Sequence, residues 1–295
     1  MRSDTLGRVK ATFTPHPPRP PKAQQSRSGR NMPAAIATAL ILLGVVALSL
    51  IFEPMVFAVL VMVAQVVALW EITGAFLAKD IHLPLAVLVV ATLMMGLATL
   101  FAGIAGGFIA FLFGVLAVLM WRIFSQAQRP MIEASAGVFA LAWIGLAGIF
   151  AIAFTLYPQA VWLVATLILM PSASDTGGLA AGIFFGKHPI APKISPKKSW
   201  EGFVGSVLLS GVGAFLLIHL ALGLGWLWVA IFTVVTPILA TAGDFAESLV
   251  KRALGIKDMG SIFPGHGGVL DRIDSILFCA PTFYLLFTIA LGLSL

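Results

Sequence analysis

Residues 55–78 read MVFAVLVMVAQVVALWEITGAFLA, with Glu71 as the single ionisable side chain. A helix needs about 20 predominantly apolar residues to cross the hydrocarbon core of a bilayer, and this stretch meets that length by itself. Moving outward, stretches of the same kind recur at 34–52, 83–101, 104–121, 136–156, 159–174, 201–222, 226–243 and 275–294. Together they predict an all-α polytopic membrane protein with nine transmembrane helices. Glu53-Pro54 predicts a tight turn between the first two. Pro171-Ser172-Ala173-Ser174-Asp175 predicts that the sixth span is short and interrupted, as spans are where backbone lines a cavity. Composition agrees: of 295 residues, 60% are hydrophobic and 10% charged, against about a quarter charged in soluble domains. That balance excludes a water-soluble enzyme, a disordered chain and a disulfide scaffold. Cys279 is the only cysteine, so no intrachain disulfide exists.

The net charge of +6 belongs to one end of the chain. Arg2, Arg8, Lys10, Arg19, Lys22, Arg27 and Arg30 face only Asp4, and the remaining residues sum to zero. Residues 1–31, rich in Pro, Arg and Ser, bury too little apolar surface to order themselves. They predict a disordered basic cytosolic tail that sets topology, not a nucleic-acid-binding arm. With the N-terminus in the cytosol and the spans alternating, every basic side chain outside the tail falls on the cytosolic side, as the positive-inside rule requires. Nine spans, N-terminus in and C-terminus on the far side, preserve that agreement; an even number does not. The chain divides into the tail, five N-terminal spans over 32–158, and a C-terminal region over 159–295 with cytosolic loops at 175–200 and 244–274. No organellar transit pattern is present, so the expected location is a bacterial cytoplasmic membrane with the active site facing the cytosol. Gly103-xxx-Gly107 fits a spacing that brings helices close.

The polar residues collect in those two loops. In the second, Asp244, Glu247 and Lys251 are spaced to share one helix face if the eighth span continues, with Ser248 and Arg252 beside them. Asp271 and Asp274 stand one turn apart where the last span begins. A carboxylate entering a bilayer is costly unless paired, hydrated or metal-bound. Several carboxylates beside several cations suit Mg²⁺ carrying phosphates, since Mg²⁺ takes one or two carboxylates and completes its shell with water and phosphate oxygen. Lysine and arginine neutralise the remaining phosphate charge. Pro264-Gly265-His266-Gly267-Gly268 predicts a turn whose backbone N–H groups approach a phosphate closely. Simpler readings stand beside these. Lys187, Lys193 and Lys257 suit interfacial anchors. Asp244 and Glu247 suit ion pairs with Lys251 and Arg252, and Asp271 and Asp274 suit helix capping. Glu71 either faces the site or sits at the interface. His16, His82 and His219 carry no expected function. Ser195 lacks a His or Asp partner at a spacing that argues for a nucleophile, and no zinc spacing, Walker loop or dinucleotide fingerprint occurs.

The run Ser248-x-Val250-Lys251-Arg252-x4-Lys257-Asp258-x-Gly260-x2-Phe263-Pro264-x-His266-Gly267-Gly268-Val269-x-Asp271-Arg272-Ile273-Asp274 resembles the signature of the phosphatidate cytidylyltransferases, the CDP-diacylglycerol synthases. Asp175-Thr176, Phe185-Gly186-Lys187 and Ser195-Pro196-Lys197-Lys198-Ser199-Trp200-Glu201-Gly202 are similar to that family too. Gly178-Leu179 departs from its frequent Ala-Tyr, and Ser199 from its usual Thr. The resemblance implies a homodimeric integral membrane enzyme that uses CTP, phosphatidate and Mg²⁺, with a second, monovalent cation such as K⁺, to make CDP-diacylglycerol and pyrophosphate for phospholipid biosynthesis. By position, Asp244 and Asp271 match the family's metal-binding aspartates, and Asp274 is a candidate for the second cation or for orienting Arg272.

The implied reaction is attack of the lipid phosphate oxygen on the α-phosphorus of CTP. A phosphate monoester's second pKa is about 6, so no strong general base is required and the task is electrostatic. Lys197, Lys198, Lys251, Arg252 and Arg272 are candidates for phosphate neutralisation, and His266 for donation to the departing pyrophosphate. Asp175 and Glu201 either orient these lysines or bind cytidine, and Ser195, Lys257, Gly267 and Gly268 complete the expected substrate contacts. The Asp-x2-Asp-Gly-x2-Ala-Arg pattern of CDP-alcohol phosphotransferases is absent. An ether-lipid cytidylyltransferase is the nearest alternative. A transporter would show inverted repeats, whereas here the carboxylates cluster in the second half.

Overall fold

The computed structural model describes residues 14–18, 41, 44–50, 52–125, 128–260, 262 and 267–292. Among them, seven helices are long and apolar enough to cross a membrane: α1 (Pro54–Leu77), α2 (Leu85–Phe124), α3 (Pro130–Leu156), α4 (Ala160–Phe185), α5 (Trp200–Ala221), α6 (Trp226–Leu254) and α7 (Leu270–Leu291). An antiparallel hairpin of β1 (Pro189–Ala191) and β2 (Ser195–Ser199) joins α4 to α5. The protein is a polytopic, almost wholly helical integral membrane protein. Most of the expected first span, 34–52, and most of the 1–31 tail lie outside the described residues.

A straight helix of 40 residues would be about 60 Å long, twice the hydrocarbon thickness. α2 avoids this by reversing. Ala102 (φ −132°) and Gly103 (φ 64°) leave helical geometry, the latter in the left-handed region that glycine tolerates. Beyond them the two arms lie side by side: a Cβ on Gly107 would fall on Thr99 Oγ1, and one on Gly114 would come within 3.0 Å of Ala91 Cβ. The arms match the separate stretches at 83–101 and 104–121. The Gly103-xxx-Gly107 spacing serves this turn and an intrachain contact.

Two corrections concern the polar segments. α4 is not interrupted at Pro171 but continues to Phe185, so only the second half of 175–200 is non-helical. Ser206 Oγ donates to the Ser174 carbonyl at 2.7 Å, and Thr176 Oγ1 to that of Ser172 at 2.7 Å. A neighbouring helix and local hydroxyls can support a proline-containing span in this way. Likewise α6 runs through Asp244–Arg252 and stops at Leu254, where Gly255 turns left-handed (φ 73°). The expected loop 244–274 therefore shrinks to 255–269.

Lipid tails are as apolar as leucine, so close packing and polar contacts hold membrane helices together. α4 and α5 meet glycine to glycine: a Cβ on Gly177 would strike the Gly205 carbonyl, and one on Gly202 would come within 2.9 Å of the Gly178 carbonyl. One apolar core gathers Phe154, Phe232, Phe283 and Phe287 between α3, α6 and α7. Another gathers Leu69, Ile72, Leu88, Met95, Leu141 and Ile144 between α1, α2 and α3. At the polar end of the bundle Arg122 pairs with buried Glu133 at 2.9 Å and donates to the His82 carbonyl, tying α2, α3 and the 78–84 turn together. In the tail, Thr14–Pro18 lies against α1. The His16 ring meets Trp70 edge-on, with centroids 5.4 Å apart, and its carbonyl covers Gly74. His16 thus makes a packing contact and stays exposed.

Replacing Gly177 with Leu is expected to destabilise the folded protein by about 1–3 kcal/mol, the usual range for overpacking. Gly225→Ala, where nothing lies within 4 Å of an added Cβ, is expected to leave the melting temperature in detergent nearly unchanged. Thermal melts of both variants check this.

Candidate active site

Where α4, α5, α6 and α7 reach the polar end, a cleft of about 480 Å³ opens between them and the β-hairpin. Its walls hold Asp175 from α4, Ser195, Lys197 and Lys198 from β2, Asp244 and Lys251 from α6, and Asp271, Arg272 and Asp274 from α7. Nine of the expected site residues therefore converge from three sequence regions. Glu247 and Asp258 also line the cleft, which brings its side chains to six carboxylates and four cations. Fully ionised, that set carries two excess negative charges, which one divalent cation would balance. Leu179, Phe203 and Ile190 form an apolar part of the wall. Another hollow, about 590 Å³, is lined by apolar side chains of the two α2 arms and brings no reactive groups together.

The carboxylates sort into two groups. One ligand atom each from Asp244, Glu247 and Asp274 lies within 4.8 Å of the others. Glu247 is 1% exposed, and its Oε1 is buried without a hydrogen-bond partner. A buried carboxylate oxygen without a partner is costly, and a cation bound between these three side chains would remove that cost. Asp271, also expected in the metal set, lies with the α6–α7 loop and Lys251. Its Oδ1 accepts from Lys251 Nζ at 2.8 Å, and its Oδ2 from the N–H groups of Met259 at 3.0 Å and Gly268 at 2.8 Å. The loop and the lysine thus share this carboxylate. Lys251 also pairs with Glu247, one turn away on α6, and so links the two groups.

Helix geometry explains the placement. Asp244, Glu247 and Lys251 do share one face of α6, because α6 continues past the apolar stretch. A Cβ on Gly243 would lie 2.5 Å from the Asp274 carbonyl, so α6 and α7 approach closely beside the carboxylates. Ser275 fixes this corner: its hydroxyl donates to Asp175 at 3.2 Å and its N–H to Asp274 Oδ1 at 2.8 Å. Lys198 pairs with Asp244, its ammonium 5.4 Å from the centre of the Phe245 ring.

Other expected contacts fall elsewhere. Glu201 stays outside the cleft walls. It accepts from the N–H groups of Lys187 at 3.0 Å and His188 at 3.2 Å and meets His188 Nδ1 at 2.5 Å, and so clasps the base of the hairpin. Arg252 and Lys257 are exposed and also stand off the cleft, since α6 turns Arg252 away from the face that carries Lys251. Gly268 is buried with its N–H committed to Asp271, and a Cβ on Gly267 (φ 76°) would lie 2.7 Å from the same carboxylate. These two glycines pack around the Asp271 carboxylate. His266 lies outside the described residues. Glu247 stands in the sequence among the carboxylates that suit Mg²⁺ but not among the named metal ligands; its i, i+3 spacing from Asp244 is the signal that places it beside them.

The model of the cytidylyltransferase family matches residues 33–290. The chain belongs to the cytidylyltransferase family. A protein named phosphatidate cytidylyltransferase from Mycobacterium bovis is 37% identical over 285 residues, covering 91% of this chain and 92% of its own length. One of the same name from Mycobacterium leprae is 38% identical over 269 residues, covering 85% and 86%. Another from Haemophilus influenzae is 42% identical over 119 residues, 38% of this chain. Family membership accounts for a nucleotide-scale charged cleft at the end of a membrane bundle.

Removing the hairpin clasp with Glu201→Ala is expected to raise tryptic cleavage at Lys193, Lys197 and Lys198 several-fold, because those bonds then open locally more often. A digestion time course on purified protein measures it.

Proposed function

We propose that this chain is a phosphatidate cytidylyltransferase: it transfers the cytidylyl group of CTP to phosphatidate and releases pyrophosphate. The observation that carries the reading is the cleft itself, in which a carboxylate trio and four cations meet an apolar wall at the end of membrane helices. A nucleotide triphosphate suits the charged part. A lipid with two acyl chains suits the rim, where Leu179 is 55% exposed and continues along α4 to exposed Ile183. The names of the relatives agree.

In the reaction an oxygen of the lipid phosphate bonds to the α-phosphorus of CTP, and the bond to the β-phosphate oxygen breaks. Because the nucleophile ionises with a pKa of about 6, the protein's work is to bring two polyanions together and to stabilise charge on the transferring group. Lys197 and Lys198 approach from the hairpin and Arg272 from α7. Lys251 holds Glu247 and Asp271 in place and adds its charge to the same wall. Asp244, Glu247 and Asp274 would hold Mg²⁺, which supplies positive charge to phosphate oxygens.

The same reading includes the membrane arrangement. With α2 crossing twice and 34–52 supplying the first span, the count is nine, N-terminus in the cytosol and C-terminus on the far side. Lys79, Arg122, the hairpin and the α6–α7 loop then face the cytosol, where CTP is found. A bacterial cytoplasmic membrane is the expected home.

Full-length protein in detergent, given CTP, phosphatidate and MgCl₂, is expected to form CDP-diacylglycerol and pyrophosphate. Glu247→Gln and Asp244→Asn are each expected to lose about a hundredfold or more in turnover, the scale of removing a main electrostatic group, and to lose the rise in melting temperature that Mg²⁺ gives the parent. Unchanged turnover in both variants would refute the assigned carboxylates. No product from folded parent protein would refute the reaction.

A further inference from the structure

Glu71 lies on α1, far in sequence from every other residue at the polar end that the reaction uses, and it is 2% exposed. Its Oε1 accepts from the Val269 N–H at 3.0 Å and its Oε2 from the Leu270 N–H at 2.9 Å. These are the first N–H groups of α7, whose own cap residue, Val269, offers no side-chain acceptor. A carboxylate at a helix N-terminus is favoured by the N–H groups exposed there and by the helix dipole. The contact is also shape-specific. A Cβ on Gly260 or on Gly268 would run into the Glu71 carboxylate. Both flanks of the α6–α7 loop, Met259–Gly260 and Gly268–Leu270, therefore rest on one side chain.

Those same flanks hold Asp271. Met259 and Gly268 donate to its Oδ2, and Asp271 in turn holds Lys251, which pairs with Glu247 in the carboxylate trio. A chain of direct contacts thus runs from α1 to the cleft wall. A helix cap alone would need no partner from the N-terminal half of the chain, and Ser, Thr, Asp or Asn at position 269 would supply one locally.

We propose that Glu71 is a positioning residue for the transfer reaction: it sets the loop flanks and the first turn of α7, and through them the placement of Asp271, Lys251 and Glu247. The proposal rests on the cytidylyltransferase reading above. Glu71 does not itself line the charged cleft and is not a catalytic residue. Misplaced loop flanks would slow the chemical step while leaving the lipid-facing rim intact, and displacements of this kind can cost on the order of a hundredfold.

The test combines Glu71→Gln, Glu71→Ala, Gly260→Ala and the double variant Glu71→Ala/Gly260→Ala, all in the full-length protein. Gln keeps the shape but offers an amide donor where an N–H must be accepted. Glu71→Gln and Gly260→Ala are each expected to lower kcat by about tenfold or more, with the KM for phosphatidate within twofold of the parent. Glu71→Ala makes room for the Cβ at 260, so the double variant is expected to be no worse than Glu71→Ala alone, a non-additive pair. Hydrogen exchange by mass spectrometry is expected to rise at 267–272 in Glu71→Gln. That readout needs no substrate, so it separates failure of this proposal from failure of the reaction assigned above. Multiplicative losses in the double variant overturn the proposal. So does parental exchange at 267–272 together with parental kcat per folded molecule. Should Glu71→Gln fail to fold, Gly260→Ala decides by the same two readouts.

Discussion

The ammonium of Lys251 lies between the carboxylates of Glu247 and Asp271, and the polar end of the bundle is arranged around that placement. Carboxylates at the ends of apolar helices are tolerated only when other charges and donors surround them. Lys251 offsets part of the charge on Glu247 and on loop-bound Asp271 at once. Asp271 can then fold its second oxygen onto the loop, and Glu247 can keep one oxygen facing the cleft. Remove the lysine and two buried acids lose their shared partner, a situation far costlier than losing a surface ion pair.

Around this centre, helix packing fixes distances that side chains alone cannot. Gly243 lets α6 come close to α7 beside Asp274, and the Gly177–Gly205 contact lets α4 and α5 converge. Asp175 on α4 and Ser275 on α7 meet directly beside these contacts. The β-hairpin is held differently. Ser199 caps α5 by accepting from the Gly202 N–H at 3.1 Å, and Glu201 clasps the turn at Lys187–His188. The strand carrying Lys197 and Lys198 is thereby held over the cleft by short-range bonds, while the cleft floor is held by tight helix contacts. A charged mobile substrate and a lipid substrate make different demands, and the two modes of support suit them.

Much of this was readable in the residues. Long apolar stretches announce spans because nothing else in a chain needs so many consecutive apolar side chains. The carboxylates and cations of 175–200 and 244–274 stood out because ions are rare in such a chain, and nine of the expected side chains do line one cleft. What could not be read was the partner of each. Asp271 and Asp274 look alike one turn apart, yet the loop backbone takes Asp271 and leaves Asp274 to the trio. Glu201 looked like a substrate ligand, yet its nearest donors are two N–H groups of the turn before β1. Helix ends are also not marked by polarity: α4 runs past Pro171 and α6 past Asp244, each beside neighbouring helices.

The sequence by itself determined that the chain is a membrane-embedded helical protein with one phosphate-handling region, because hydropathy and the scarcity of charge are properties of the residues wherever they sit. Only the tertiary structure decided which carboxylates cluster with one another, which one the loop backbone takes, and that Glu71 on α1 accepts from the start of α7, nearly two hundred positions away. Those outcomes depend on distances of a few ångströms between segments remote in sequence, and spacing along one chain carries no measure of them.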